Sequence, residues 1–245
     1  MKPFDVAIVG AGPAGSSAAV FLARRGYSVA LLDKAVFPRA KLCGDFLNPA
    51  CWSLFDRLGI RDTVASLEHQ EIGSFLLSTP TAEAVVPFPR HNGRRVFGFG
   101  LKRSLLDDLL LRLAIKEGVA VEQGSRLSGL ERAGAAWRLK KDSSRESLRA
   151  RLLIGADGRN SWVANRLGLA APGDESGKYV AFQLNLSECA GLGGDIQIHL
   201  FPGGYAGLAG VGGRSANLCF AVERKIVRQS PSFEAVLERR LAKNP

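Results

Sequence analysis

The hydrophobic pattern of the chain changes character along its length. Residues 5–9 (DVAIV) are a short β-branched run, which predicts a buried parallel strand. Residues 14–25 have a helical pattern ended by Gly26, and residues 28–32 (SVALL) form a second strand-like run. From Tyr179 onward, apolar and polar residues alternate with the period of a half-buried strand. The pattern therefore predicts an α/β protein in which a βαβ unit is combined with an antiparallel sheet.

A long amphipathic helix is predicted in the middle of the chain, over residues 103–118 (RSLLDDLLLRLAIKEG). Its leucines form a wide apolar stripe, which indicates a core contact, and Gly118 ends it. Ser104 followed by Asp107 resembles a capping box at its start. Residues 73–99 are rich in β-forming residues, glycine and proline, and predict strands and turns outside the βαβ unit.

The candidate chemistry starts with a glycine motif at residues 10–15 (GAGPAG), between the first strand and the first helix. Gly10 permits a tight turn, Gly12 lets the backbone approach a pyrophosphate, and Gly15 lets helix and strand pack closely. The helix N-terminus offers N–H groups and a positive dipole end to phosphates. Asp33, at the end of the second strand, can accept hydrogen bonds from a ribose. The combination predicts dinucleotide binding and leaves NAD and FAD as alternatives.

Composition and charge narrow the possible partners. The 245 residues suffice for one large domain or two small ones, and the hydrophobic fraction of 46% is ordinary for a globular protein. The net charge of +10 raises nucleic acid or a membrane surface as partners, but the basic residues are scattered and no nucleic-acid motif accompanies them. Residues 6–23 are apolar but interrupted by glycine and proline, which favours strand, turn and helix over a membrane span. We therefore expect a cytoplasmic protein with no transmembrane segment and no nucleic-acid partner.

The cysteine and histidine positions argue against a metal site. The three histidines lie far apart, and no CxxC pair or zinc-like spacing occurs among the four cysteines, Cys43, Cys51, Cys189 and Cys219. Cys43 in the stretch KLCGDFLNP could be a redox or nucleophilic thiol, a metal ligand or a compact loop residue. Because it has no cysteine or histidine partner nearby in the sequence, we favour the third interpretation. Gly44 beside it permits a close approach of the loop to a ligand.

Three motifs together carry a family resemblance. They are VAIVGAGPAGSSAA at residues 6–19 with Asp33, FPRAKLCGDFLNP at residues 37–49, and LLIGADGRNSWVANRLG at residues 152–168. In this order they resemble the FAD-dependent monooxygenase and geranylgeranyl-reductase-like flavoprotein superfamily, whose FAD domain is of the glutathione-reductase type. The resemblance covers about the whole chain, and the combination is more specific than any one motif.

The resemblance implies a domain organisation and a cofactor site. A Rossmann-like FAD-binding domain would comprise residues 1–70 and 98–176, with an antiparallel β-sheet substrate domain in residues 71–97 and 177–245. Arg39 and residues 43–45 would lie near the flavin end, and the resemblance assigns no catalytic residue. The cofactor-binding residues that it implies are Gly10, Gly12, Pro13, Ala14, Gly15, Asp33, Lys34, Arg39, Cys43, Gly44, Asp45, Arg103, Asp157 and Gly158.

The resemblance also implies an activity. The protein would be an FAD-dependent oxidoreductase that uses NAD(P)H as co-substrate, either hydroxylating an apolar or aromatic small molecule or reducing an isoprenoid-type double bond. Apolar runs at residues 179–186 and 195–201 would suit the substrate wall. Family members also carry a late glycine–aspartate motif, and no such segment precedes Pro245. The alternative is therefore a truncated, catalytically inactive nucleotide-binding module. The sequence determines neither the substrate, nor NADH against NADPH, nor the oligomeric state.

Overall fold

The computed structural model describes residues 3–42, 44–90, 92–142, 146–170 and 178–241. The chain divides into two compact units, each made of two segments. The first unit comprises Met1–Ala40 and Ser104–Pro172, and the second comprises Lys41–Arg103 and Gly173–Pro245. Parallel and antiparallel sheets are both present, which confirms the predicted α/β class. The predicted assignment of an FAD-binding and a substrate domain, with its boundaries after residues 70, 97 and 176, stays a prediction.

The first three elements are a strand, a helix and a strand, as the hydrophobic pattern predicts. In chain order the strands are β1 (Phe4–Val9), β2 (Val29–Leu32), β3 (Phe46–Leu47), β4 (Gln70–Ile72), β5 (Ser74–Ser78), β6 (Glu83–Pro87), β7 (Gly98–Gly100), β8 (Ala120–Glu122), β9 (Leu127–Ala133), β10 (Ala136–Lys141), β11 (Ser147–Gly155), β12 (Tyr179–Leu186), β13 (Asp195–Phe201), β14 (Gly204–Gly210) and β15 (Ala216–Glu223). The helices are α1 (Pro13–Ala23), α2 (Cys51–Leu58), α3 (Arg61–Ser66), α4 (Arg103–Lys116), α5 (Trp162–Arg166), α6 (Arg224–Gln229) and α7 (Phe233–Leu241).

The sheet of the first unit has the strand order β8-β2-β1-β11-β10-β9. β1 is parallel to both of its neighbours, and Val9 lies opposite Leu32 on one side and Gly155 on the other. The turns that follow β1, β2 and β11 therefore leave the sheet at the same edge. In open α/β sheets this carboxyl edge is where ligands bind.

The core of the first unit lies on both faces of this sheet. Ala7, Val9 and Leu32 belong to a buried cluster on one face. On α4, Leu106 and Leu110 are buried as the leucine stripe predicts. The predicted capping box at Ser104 and Asp107 is wrong, because α4 begins at Arg103 and Asp107 is completely buried in an ion pair with Arg39. Asp107 therefore makes a tertiary contact with Arg39 instead of the local capping contact with Ser104 that the sequence pattern indicated.

The main sheet of the second unit has the order β12-β15-β14-β13-β5-β6. It is antiparallel except where β13 pairs with β5 in parallel. The antiparallel strands β12 to β15 are those that the alternation after Tyr179 predicts, and β5 and β6 come from the β-rich segment 73–99. A small sheet of order β3-β7-β4 completes the unit.

One face of the main sheet is covered by helices. Ala206, Phe220 and Val222 are buried there in a cluster with Val236 of α7. Among the described residues, no helix is long and apolar enough to cross a membrane.

Candidate functional site

The glycine turn after β1 is packed closely against its own unit. Gly10 has a positive φ of 102°, and a Cβ atom at this residue would lie 2.4 Å from the carbonyl oxygen of Ala156. A Cβ atom at Gly15 would lie 1.8 Å from the carbonyl oxygen of Gly10. Any larger residue at either position would therefore push the turn away from β11 or from α1.

Gly12 differs from these two glycines because packing within the protein does not require a residue without a side chain at this position. A Cβ atom there would come within 4 Å of one atom in the described part of the chain, Nη2 of Arg39, at 3.7 Å. Gly12 is also the N-cap of α1, so it supplies no capping side chain, and the first turn of α1 has no acidic residue. The N–H groups and the positive end of α1 are thus approachable beside a bare backbone, as a phosphate group requires.

Asp33 holds this turn from the end of β2. Its Oδ2 atom accepts a hydrogen bond of 2.8 Å from the N–H of Ala11, and its Oδ1 atom accepts one of 2.8 Å from the N–H of Ala35. Each carboxylate oxygen has a second lone pair, so both can still accept hydrogen bonds from ribose hydroxyls. Lys34 next to it is exposed.

Arg39 lies against the same turn. Its Nη1 atom is 3.2 Å from Oδ2 of the buried Asp107, and its guanidinium carbon is 4.6 Å from the ring centre of Phe37. The side chain of Arg39 is 15% exposed. Nη1 is buried and has no well-directed hydrogen bond within the described chain. The other terminal nitrogen, Nη2, lies 3.7 Å from the Cβ position of Gly12 and can donate to an acceptor at the turn.

Asp157 has local partners after β11. Its Oδ1 atom accepts a 2.5 Å hydrogen bond from Oγ of Ser161, and its Oδ2 atom accepts a 3.1 Å bond from the N–H of Val163. Ser161 in turn accepts a bond from the N–H of Ala164, so the two side chains cap α5 together. Asp157 therefore shapes the turn that Gly158, with a φ of 86°, continues.

Asp45 and Arg103 belong to the second unit. Asp45 is buried, its carbonyl oxygen accepts from the N–H of Leu101, and its Oδ1 atom accepts from the N–H of Arg103 at 3.1 Å. Its carboxylate thus holds the backbone at the start of α4. A Cβ atom at Gly44 would meet no described atom within 4 Å. Cys43 lies outside the described residues, so its interpretation stays a prediction.

The carboxyl edge of the first sheet therefore brings together most of the predicted residues, namely Gly10, Gly12, Pro13, Ala14, Gly15, Asp33, Arg39, Asp157 and Gly158. Two observations fit a dinucleotide diphosphate: the open Cβ position of Gly12 and the position of Nη2 of Arg39 beside it. Asp107 is the residue that the sequence analysis missed. Its signal was a carboxylate set among buried leucines, at a position of α4 that faces the core.

A second candidate surface lies on the half-buried face of the main sheet in the second unit. One cross-strand row places Gly207 between Ile198 and Cys219, with Leu77 beyond Ile198 and Gln183 beyond Cys219. Directly opposite residues share a face of the sheet. A Cβ atom at Gly207 would have no described atom within 4 Å, so the row has an open space at its centre.

A groove of about 1160 Å³ occurs elsewhere in the second unit, beside α2, α3 and residues 89–98. Trp52 and Phe97 line it, and the guanidinium of Arg61 lies 4.9 Å from the Trp52 ring centre while it pairs with Asp56. Despite its volume, this groove contains none of the predicted cofactor-binding residues. We therefore do not assign the dinucleotide to it.

Comparison with known proteins places this geometry in context. The profile described as FAD binding domain matches residues 3–190. Menaquinone reductase of Mycobacterium tuberculosis is 33% identical over 174 residues, which cover 67% of this chain and 40% of that protein. Tryptophan 2-halogenase of Chondromyces crocatus is 32% identical over 166 residues, which cover 66% of this chain and 31% of that protein. The chain thus spans less than half the length of each of these curated relatives.

The fold is also similar to that of a solved flavoprotein. The crystal structure of halogenase PltM in complex with phloroglucinol and FAD superimposes with a TM-score of 0.82 over 98% of this chain and 56% of that one. The two sequences are 18% identical, so this likeness concerns the fold.

Proposed function

The chain belongs to the FAD-binding-domain family, and from this premise we propose that it is the cofactor-binding part of an NAD(P)H-using flavin oxidoreductase. The observation that carries the proposal is the turn at Gly12, where the backbone is open and Nη2 of Arg39 lies beside it. A turn of this kind suits the diphosphate that FAD has at its centre.

Each part of the first unit has a task in binding FAD. The backbone at Gly12 and the N-terminus of α1 would hold the diphosphate, and Arg39 would neutralise part of its charge. Asp33 would accept from the adenosine ribose, with Lys34 beside it. The roles proposed for Asp157 and Gly158, and for Gly44, Asp45 and Arg103 of the second unit, stay predictions.

The protein and the cofactor divide the chemistry between them. When bound, FAD supplies the transfer of reducing equivalents from NAD(P)H to O₂ or to a substrate double bond. The chain's own residues bind the cofactor, orient it and exclude water. We propose the half-buried row around Gly207 as a wall for an apolar or aromatic small molecule. Apolar contacts from Ile198 and Leu77, with the amide of Gln183 at one end, support that substrate class.

Hydroxylation of an aromatic substrate is the reaction that we propose first. Reduction of an isoprenoid-type double bond is the second candidate, and the identity of 33% to a menaquinone reductase favours it. The product separates the two, because hydroxylation adds one oxygen atom of O₂ to the substrate, whereas double-bond reduction adds two hydrogen atoms and proceeds without O₂. A cytoplasmic location and the use of NAD(P)H stay predictions.

The test is reconstitution of the purified chain with FAD, followed by removal of free flavin and a visible spectrum. We expect flavin absorbance in stoichiometric amount, and its absence would refute the proposal at the first step. NADH or NADPH is then added in air and without oxygen, with menaquinone or phloroglucinol as substrate. A chain that binds FAD but oxidises neither nucleotide under any of these conditions would support the alternative of an inactive module.

A further inference from the structure

Asp107 is an acidic side chain in an apolar layer of the first unit. It is completely buried on α4, among Leu106, Leu110 and Leu111. An ionised carboxylate in such a place is costly unless a cation compensates it. Arg39 is that cation, since its Nη1 atom lies 3.2 Å from Oδ2 of Asp107. Between these two residues lie 67 others in the sequence, so the pair exists because of the fold alone.

Arg39 is constrained on three sides. Asp107 lies at Nη1, the guanidinium carbon lies over the ring of Phe37 at 4.6 Å from its centre, and Nη2 lies 3.7 Å from the Cβ position of Gly12. A guanidinium is planar, and its five N–H donors have fixed directions. Contacts at Nη1 and at the guanidinium carbon therefore fix the position of Nη2, which is beside the open turn.

We propose that Asp107 is a positioning residue for the dinucleotide site: it orients Arg39 so that the guanidinium donates to the diphosphate held at Gly12. The inference rests on the proposed binding of FAD at this turn. It assigns to Asp107 an effect on ligand affinity that passes through Arg39. Asp107 itself does not touch the ligand.

The test is a double-mutant cycle with ADP as the probe, measured by isothermal titration calorimetry, and with FAD measured by fluorescence quenching. We expect Arg39→Gln and Asp107→Asn each to weaken ADP binding about tenfold, which corresponds to about 1.4 kcal/mol. The combination of both substitutions should bind ADP no more weakly than Arg39→Gln alone, because Asp107 acts only through Arg39. Additive losses would overturn the proposal, since they would indicate a general structural effect.

The neighbouring carboxylate provides a matched control. Asp108 is on the same helix and pairs with Arg112 at 2.7 Å, away from Arg39. Asp108→Asn should leave the ADP affinity unchanged. If Asp108→Asn weakens ADP binding as much as Asp107→Asn does, the loss of affinity comes from a general disturbance of α4 and the proposal fails.

A further variant keeps the test decisive if Asp107→Asn does not fold. Arg39→Lys retains a cation for the buried carboxylate but lacks the planar donor geometry. We expect a melting temperature close to that of the wild type and ADP binding about fivefold weaker. Wild-type affinity in this variant would refute the orienting role. If the wild-type chain binds neither ADP nor FAD, the proposed cofactor is wrong. If wild type and Asp107→Asn bind ADP equally well, the cofactor stands and the positioning role of Asp107 is wrong.

Discussion

The glycine turn of the first unit and the open sheet face of the second unit differ in how much of their geometry the protein itself determines. At the turn, a Cβ atom on Gly15 would collide with the carbonyl of Gly10, and both oxygens of Asp33 are bound to backbone N–H groups. At the face, Gly207 has no described neighbour within 4 Å of its Cβ position. One site is tightly packed before any ligand arrives, and the other leaves room.

The difference follows from what each site would recognise. A diphosphate is the same group in every dinucleotide, and backbone N–H groups with a helix dipole bind it whatever the surrounding side chains are. Such a site depends on backbone positions, which glycines determine. A substrate wall depends on side chains, and an open space at its centre allows its shape to change by substitution without disturbing the sheet.

The largest expected effect is that of Gly15→Ala. The added methyl group would lie 1.8 Å from the carbonyl oxygen of Gly10, so the turn or α1 must move. We expect a loss of about 3 kcal/mol in the free energy of unfolding, measured by urea denaturation. Gly207→Ala makes the same chemical change in open space and should alter stability by less than about 0.5 kcal/mol. Equal stabilities of the two variants would show that the turn is no more tightly packed than the sheet face.

Gly12→Ala should separate binding from stability. The new methyl group is 3.7 Å from Nη2 of Arg39 and clashes with no described atom, so the melting temperature should stay close to the wild-type value. The diphosphate would lose its close approach to the backbone, and we expect FAD to bind about 100-fold more weakly, a loss of about 2.7 kcal/mol. Calorimetric titration and thermal denaturation of the same sample measure both quantities. Retained FAD affinity would show that the open position does not serve the cofactor.

Gly207→Val tests the open sheet face of the second unit. The valine side chain would fill the space between Ile198 and Cys219. We expect binding of the apolar aromatic dye anilinonaphthalene sulfonate to the folded protein to weaken about fivefold. The dissociation constant for FAD serves as the internal control and should stay the same. Unchanged dye binding would mean that this face is not an apolar binding wall.

The smallest expected effect concerns the covered face of the same sheet. His199 lies there opposite Ala206, and burial lowers its pKa, with Glu83 opposing the shift. The unfolded chain therefore takes up this proton at a higher pH than the folded chain does. Stability from this residue is complete above the unfolded pKa of about 6.5 and decreases as the pH falls through the lower folded pKa.

Replacing His199 by glutamine should remove this dependence. Between pH 7.5 and pH 5.5 we expect the wild-type melting temperature to fall by about 1 °C more than that of His199→Gln. Identical pH profiles for the two proteins would contradict the assignment.

Local patterns predicted the first unit better than the second. The strand at residues 5–9, the glycine motif and Asp33 lie within one βαβ unit, where each element follows the last in space as well as in sequence. The parallel pairing of β13 with β5 was not predictable in the same way, because 116 residues separate the end of β5 from the start of β13 and nothing local specifies the partner.

The Arg39–Asp107 pair shows why part of the site was missed. Ser104 and Asp107 have the spacing of a capping box, so the local pattern suggested that the helix starts at Ser104. In the fold, Asp107 instead lies within α4, where it is buried and pairs with Arg39. The hydrogen bonds of Asp157 to Ser161 and Val163 could not be predicted for the same reason, because they depend on how the chain turns after β11.

The hydrogen bond from the Ala11 amide to the carboxylate of Asp33 also has a spectroscopic meaning. An amide proton that is hydrogen-bonded to a charged oxygen resonates far downfield in the NMR spectrum. Its chemical shift reports how much negative charge that oxygen carries. A ribose that shares the Asp33 carboxylate would draw some of that charge away and move the Ala11 signal upfield. This single backbone resonance therefore offers a direct readout of adenosine-end occupancy in a protein that has no colour until a flavin arrives.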